Sequence, residues 1–234
     1  MHCACLEIDS SPVIPFLLAH PDINVNANSK DEYTPFYLAC ENGYTSCVRE
    51  LLKDSRVKVT EPDGDGRTPL WRAACWGYLD IVEWWIASGR EMDLGRPGDG
   101  KTDAIGVAKK IDPWHSAVDK RRRAEIATLL ERFKSDATQT RHEVRVELGL
   151  LDDLAAEMFA LVVFVSNGLL QINGTTTPSP AARFFKIATQ LPLELQMVLC
   201  FRQVGSGREI IPGKVSEVAF KGLARRLLWS LFFI

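Results

Sequence analysis

The sequence predicts an all-α solenoid of stacked helix-turn-helix units, followed by a helical C-terminal region. An eleven-residue phrase that begins at Thr34 returns at Thr68, 34 residues later. The apolar residues after each copy recur at helical spacing, and beyond Lys134 separate helical patterns replace the repeat. A period of 20–50 residues is typical of arrays in which each unit buries its apolar face against the next. The chain is therefore predicted to present a long surface rather than to enclose one pocket.

The second copy shows why each unit forms a pair of helices. The Thr68 hydroxyl suits the N-cap, where it accepts a backbone N–H, and Pro69 suits the first helical position. Gly77 supplies the positive φ that ends a helix. Four apolar residues of the next helix then recur at i, i+1, i+4 and i+5, as expected for a half-buried helix: Ile81, Val82, Trp85 and Ile86.

These features resemble the ankyrin repeat, whose pattern is Asp-x-x-Gly-x-Thr-Pro-Leu-His-x-Ala-Ala-x-x-Gly followed by a Val-x-x-Leu-Leu helix. The copy that starts at Asp63 follows the pattern except at Trp71, where the family usually has His. The resemblance implies an ankyrin solenoid with hairpin loops over residues 1–136, and a helical C-terminal region over 137–234. Its units are a truncated one at 1–28, two regular ones at 29–62 and 63–96, and a degenerate one at 97–136.

The two outer units depart from the pattern. In the degenerate unit, Asp103 replaces the proline, and an insertion around 112–115 delays the helical stripe to Ile126. The first unit keeps only 2–5 of its first helix and lacks the polar end-cap of the family. We expect that unit to be truncated and to expose apolar surface such as Leu17.

Composition and charge favour a protein of the cytoplasm or the nucleus. The net charge of −2 gives no general attraction to nucleic acid or acidic membranes, so neither is expected as a partner. The start of the chain does not resemble a secretory signal, and the six cysteines fall singly, as small buried hydrophobes in a reducing compartment. The uncharged run 158–170 is short of the ~20 residues that span a bilayer, and it predicts a helix buried against the last ankyrin unit.

The motifs that resemble catalytic, cofactor or metal sites lack the surrounding residues or elements that those functions require. Residues 95–102 match the phosphate-loop pattern G-x-x-x-x-G-K-[ST], but that loop requires a preceding strand, and 80–88 has a helical stripe. The match is also in register with the hairpin at 65–68. Asp63-Gly64-Asp65-Gly66 would need Glu instead of Ala74 to be a calcium loop, so we interpret it as a turn. With scattered histidines and no nucleophile elbow, the sequence predicts a protein without enzymatic activity, cofactor or metal.

Two further motifs have competing interpretations. The run 120–123 (Lys-Arg-Arg-Arg) is compatible with a nuclear-import or nucleic-acid patch, but we interpret it as a solvated helix start beside Glu125. The stretch 191–199 looks like the Leu-Pro-x-Glu-Leu opening of an F-box, which docks on a ubiquitin-ligase adaptor. A proline at position 192 is also common in a helix first turn. A ubiquitin-ligase substrate receptor with residues 191–229 as its adaptor-binding segment is therefore the alternative function.

The resemblance to ankyrin repeats implies a non-enzymatic module that binds a protein partner on its concave surface. In that family the partner meets the hairpin tips and the exposed edge of each first helix. Trp76 is our first choice as an anchor, because the repeat pattern needs no aromatic residue there and tryptophan often anchors interfaces. Trp76 and Trp84 could instead contact the irregular third unit or the C-terminal region. Transfer by register gives the predicted protein-binding residues: Lys30, Asp31, Tyr33, Glu41, Asn42, Asp65, Arg67, Trp76, Asp99 and Lys101.

Overall fold

A computed structural model of the chain describes residues 13–20, 22–29, 33–95, 102–110, 116–171 and 180–232, with side chains up to residue 224. These residues form helices and turns, and no strand occurs among them. The chain divides into two compact units, Met1–Val144 and Arg145–Ile234. The first helix of the truncated repeat, expected at 2–5, lies outside the described residues.

The first unit confirms the predicted solenoid of helix pairs. The first helices of the repeats, α2, α4 and α6, pack in one row, and the second helices, α1, α3, α5 and α7, pack in another. Each first helix also packs on the second helix of its own repeat. The bounds are α1 Val13–Ala19, α2 Pro35–Glu41, α3 Thr45–Leu52, α4 Pro69–Trp76, α5 Leu79–Ser88, α6 Ala104–Lys109, α7 Ala117–Ser135 and α8 Ala137–Glu147.

The two copies of the repeated phrase have the same local structure. Thr34 and Thr68 are both extended, with φ of −76° and ψ of 159° and 158°. Each hydroxyl accepts the backbone N–H three residues later, and a proline follows at the first helical position. Gly77 is left-handed, with φ of 76°, as predicted.

The core of the repeats consists of the predicted helical stripe. Ile81, Val82, Trp85 and Ile86 are all buried. The ring of Trp85 meets that of Phe36 edge to face at 4.9 Å, which links α5 to the first helix of the preceding repeat. In α1, Leu17 was expected to be exposed but is half-buried, whereas Phe16 is exposed.

The third helix pair, predicted to be degenerate, is shifted by one residue from the 34-residue period. Its N-cap is Asp103 instead of Thr102, and the Asp103 carboxylate accepts the N–H of Gly106 at 2.7 Å. An aspartate supplies the same acceptor as a threonine, so the helix begins one residue later than the period predicts. The delayed stripe at Ile126, Leu129 and Leu130 is buried in α7, while the insertion around 112–115 lies outside the described residues.

The second unit is a helical cluster around α9. Helices α10, α11 and α12 each pack on α9, whose alanines let them approach closely. Burial raises the pKa of the Cys200 thiol in this core to about 12. The bounds are α9 Leu151–Ser166, α10 Pro180–Ala188, α11 Leu193–Gln203 and α12 Gly213–Phe232.

Candidate protein-binding surface of the repeats

The hairpin before α4 is held by the carboxylate of Asp63. One of its oxygens accepts the backbone N–H groups of Asp65 at 3.0 Å and Arg67 at 2.8 Å. The N–H of Gly66 donates to the Asp63 carbonyl at 2.8 Å, which confirms that this segment is a turn. The tip is therefore fixed, with Asp65 exposed and its carboxylate 2.8 Å from the Arg67 guanidinium.

Aromatic rings and arginines alternate across the first helices and the hairpin. Tyr33 stacks on Tyr37 with ring centroids 4.9 Å apart and an interplanar angle of 3°. The Arg72 guanidinium lies 5.9 Å from the Tyr37 ring and 5.8 Å from the Trp71 ring. On the hairpin side, Arg67 lies 5.6 Å from Trp71. We call these five residues the aromatic–arginine row, and it runs between two consecutive repeats.

Hydrogen bonds among Tyr37, Arg72 and the buried Asp63 hold this row in place. The Tyr37 hydroxyl donates to Asp63 at 2.6 Å, while Arg72 donates to the Tyr37 oxygen at 2.6 Å and to Asp63 at 3.2 Å. Burial, and then the hydrogen bond to Asp63, raise the pKa of Tyr37. Burial alone would raise the pKa of Asp63 as well, but the hydrogen bonds from Tyr37, Arg67 and Arg72 together lower it. Asp63 is therefore a carboxylate at neutral pH.

The other predicted residues at the first-helix edge differ in their surroundings. Glu41 is half-buried, and its carboxylate lies 3.7 Å from Arg72. Asn42 is exposed, and its amide donates to the carbonyl of Leu38 at 2.8 Å at the end of α2. Trp76, in the last turn of α4, is 56% exposed. Of the predicted residues, the structure joins Tyr33 and Arg67 through the aromatic–arginine row and leaves Trp76 on the same helix as Arg72.

Four predicted residues, Lys30, Asp31, Asp99 and Lys101, lie outside the described residues. The same holds for most of the phosphate-loop match. The segment before that match is helix α5, as predicted, and it ends at a left-handed Gly89. The strand that a phosphate loop requires is therefore replaced by a helix.

Sequence reasoning missed four residues of this surface: Tyr37, Asp63, Trp71 and Arg72. Arg72 offered a signal, because it interrupts the apolar residues of α4 and a half-buried arginine needs acceptors. Asp63 was noted only as a turn residue. Its second role depends on Tyr37, which lies 26 residues earlier.

The interpretation of 120–123 as a solvated helix start is wrong for Arg123. This side chain is only 2% exposed. Its guanidinium donates to the carbonyls of Cys75, Val107 and Lys110, at the ends of α4 and α6. The last carbonyls of a helix lack N–H donors within their own helix, so one planar guanidinium can donate to the ends of two helices.

Trp84 has an identified partner within the repeats. The guanidinium of Arg49 on α3 lies 3.8 Å from its ring centroid, in a cation–π geometry. Trp84 thus contacts the preceding repeat, on the row of second helices. This contact gives its non-consensus position a role within the array.

The described residues contain no candidate metal cluster and no candidate membrane span. No group of three or more His, Cys, Asp or Glu side chains there converges as metal ligands would. No described helix combines the length and apolar character needed to cross a bilayer.

The fold and this surface define an array of stacked helix-pair repeats. A family model of ankyrin repeats matches residues 1–95 in three copies, so this part of the chain consists of ankyrin repeats. Ankyrin repeats indicate a protein-interaction module.

Three relatives align with this chain over different lengths. The chain is 26% identical over 181 residues to SMC5-SMC6 complex localization factor protein 1 of Homo sapiens, covering 75% of this chain and 16% of that protein. It is 33% identical over 152 residues to the same protein of Bos taurus, covering 64% of this chain and 14% of that protein. It is also 40% identical over 63 residues to ankyrin repeat domain-containing protein 49 of Homo sapiens, covering 27% of this chain and 26% of that protein. The chain thus spans a small part of the relatives that it matches, while the first two alignments are longer than the 95 residues of the family match.

Proposed function

We propose that this chain is a non-enzymatic module that binds a protein partner on the concave face of its ankyrin array. The observation that carries the proposal is the aromatic–arginine row. Tyr33, Trp71 and Arg67 are only partly buried, and tyrosine, tryptophan and arginine are the residues that most often anchor interfaces. The polar cluster beneath them holds the row before a partner arrives, which lowers the entropic cost of binding.

The partner that we propose is a subunit of the SMC5–SMC6 complex or a protein that associates with it. This inference rests on two relatives that are named as localization factors of that complex. It is a proposal because the chain corresponds to only 16% and 14% of their lengths. We expect the chain to act in the nucleus or the cytoplasm, which imaging of a fluorescent fusion would test.

Direct binding between purified proteins tests both steps. The full chain should bind purified SMC5–SMC6 complex in biolayer interferometry. Tyr33→Ala, Arg67→Ala and Trp76→Ala should each weaken the complex, by roughly tenfold or more for an anchor residue. Lys53→Ala is the matched control, since Lys53 is exposed at the end of α3, in the other row of helices, and its partner among the described residues is Glu50.

The possible outcomes test the proposed partner and the proposed binding surface separately. No binding by the unmodified chain would remove the SMC5–SMC6 proposal. Binding that Lys53→Ala weakens as much as the three other changes would remove the concave surface. A titration of the full chain with magnesium ATP should show no binding, and saturable binding would reopen the enzymatic interpretation of residues 95–102.

The alternative, a ubiquitin-ligase substrate receptor, has one specific observation in its favour. Leu193 and Leu195 on α11 are 53% and 51% exposed, where an adaptor would need them. Capture of a purified ubiquitin-ligase adaptor by the full chain, lost in Leu193→Ala/Leu195→Ala, would support it. No capture, or capture that the double variant retains, would reject it.

A further inference from the structure

Helix α7 is longer than the second helices of the other repeats. Helix α5 begins three residues before Val82, whereas α7 begins nine residues before Ile126, the buried residue at the equivalent place in the stripe. The additional six residues, 117–122, add about 9 Å of helix at 1.5 Å per residue. We call this segment the α7 extension.

The α7 extension lies against the end of α4, next to Trp76. A methyl group on the Cα of Gly77 would lie 3.4 Å from the side chain of Arg123 and 3.8 Å from that of Arg122. Cys75, the residue before Trp76 in the chain, accepts a hydrogen bond from Arg123 through its carbonyl. Both chain neighbours of Trp76 therefore touch α7, while Trp76 itself stays 56% exposed.

Basic residues flank the contact between α4 and α7, with Lys110 at the end of α6 and Lys120 and Arg122 in the α7 extension. Lys110, Lys120 and Arg122 form no ion pair with any described residue. The acidic residues of this part of α7 are already engaged: Asp119 in the capping box with Ser116, and Glu125 with Arg121 at 2.9 Å. An exposed apolar residue near cations that have no ion pair among the described residues favours a ligand that combines an apolar or aromatic group with negative charge.

We propose that Trp76 and the α7 extension form a docking site for an acidic segment of a partner protein, with Lys110, Lys120 and Arg122 as its cationic contacts. This inference rests on the proposed protein-binding function and adds the chemistry of the partner. Glutamate or aspartate side chains of the segment meet the three cations, and an apolar side chain packs on Trp76. A nucleic acid would also meet the cations, but the overall charge of −2 gives it no general attraction to the chain.

Fluorescence anisotropy of labelled peptides with the full chain tests the site. The probe is a short peptide of Glu-Glu-Phe repeats, and its control carries Gln in place of every Glu. The acidic peptide should bind more tightly than the control, and less tightly as salt is raised. Lys120→Glu and Arg122→Glu should each weaken binding by roughly fivefold, and Trp76→Ala by about tenfold.

A matched change on the same helix separates local contacts from total charge. Lys134→Glu alters the charge of α7 equally but lies at its other end, so it should leave affinity unchanged within about twofold, since exposed charges beyond a Debye length are screened. Lys120→Glu also places an acid near a helix N-terminus, which favours the fold. Circular dichroism of every variant would confirm that the helices are retained.

Three results would overturn the proposal. These are equal binding of the acidic and neutral peptides, equal weakening by Lys134→Glu and Lys120→Glu, and tight binding of duplex DNA that Lys120→Glu abolishes without any peptide binding. The last result would instead identify a nucleic-acid surface. Failure here is distinct from failure of the proposed function, because Tyr33→Ala and Arg67→Ala test a part of the face that this site does not include.

Discussion

The hydroxyl of Tyr37 lies 2.6 Å from the carboxylate of Asp63 and donates a hydrogen bond to it. This bond joins the first helix of one repeat to the hairpin of the next. Arg72 binds both groups, so the cluster couples the two repeats through three buried or half-buried polar side chains. Repeat arrays are stabilised through the interfaces between neighbouring units, and here one interface includes a specific polar contact.

Removing the Tyr37 hydroxyl should destabilise the array. Tyr37→Phe keeps the ring but leaves a buried carboxylate with one donor fewer, which costs about 1–3 kcal/mol. Urea denaturation should show this loss, and hydrogen exchange should locate it in α2 and α4. Tyr78→Phe is the control, because no hydrogen bond of the half-buried Tyr78 hydroxyl is found among the described residues, and it should cost less than about 0.5 kcal/mol.

The contribution of Asp63 to the free energy of unfolding should decrease at low pH. Its pKa is lowered in the folded chain, so its stabilisation is complete above the ordinary aspartate pKa of about 3.9 and is lost as the pH falls below that value. Asp63→Asn should cost about 2–3 kcal/mol at pH 7. The difference in unfolding free energy between the two proteins should stay constant near neutrality and shrink below about pH 4. A difference that stays constant down to pH 3 would contradict this assignment.

The adjacent tryptophans of α5 should respond very differently to truncation. Trp85 is fully buried against Phe36, so Trp85→Ala should cost about 3–5 kcal/mol. Trp84 is half-buried under Arg49, so Trp84→Ala should cost about 1 kcal/mol. Thermal denaturation of the two variants compares them directly. Equal losses would mean that the stripe does not face the core.

The regular repeats could be predicted because their structure is set by short-range chemistry. Thr34 and Thr68 cap their helices through a bond three residues away, and Gly77 ends α4 through its own φ. Such interactions are visible in a pattern of local residues. The third pair, predicted to be degenerate, begins one residue later than the 34-residue period because Asp103 caps α6.

The side-chain clusters could not be predicted in the same way, since their partners are distant in sequence. The Tyr37 hydroxyl reaches Asp63, and Arg123 reaches Cys75 across 48 residues. A run of basic residues is normally exposed to solvent. Arg123 is buried because the ends of two helices lie beside it and supply carbonyl acceptors. The predicted binding residues remain predictions, because no partner fixes their roles.

Arg123 gives the strongest single-residue prediction for the third repeat. Replacing it by methionine keeps much of the volume but leaves the carbonyls of Cys75, Val107 and Lys110 without this donor. We expect a loss of about 3 kcal/mol, because a buried carbonyl left without a donor costs about 1–3 kcal/mol. Lys would restore the charge but not the planar fork, so Arg123→Lys should recover only part of the loss.

The neighbouring Arg122→Met is the control and should change the unfolding free energy by less than about 0.5 kcal/mol, because Arg122 is exposed. Urea denaturation of the three variants, with hydrogen exchange at the ends of α4 and α6, provides the measurement. Equal stability of Arg123→Met and Arg122→Met would show that the ends of α4 and α6 are held by other contacts.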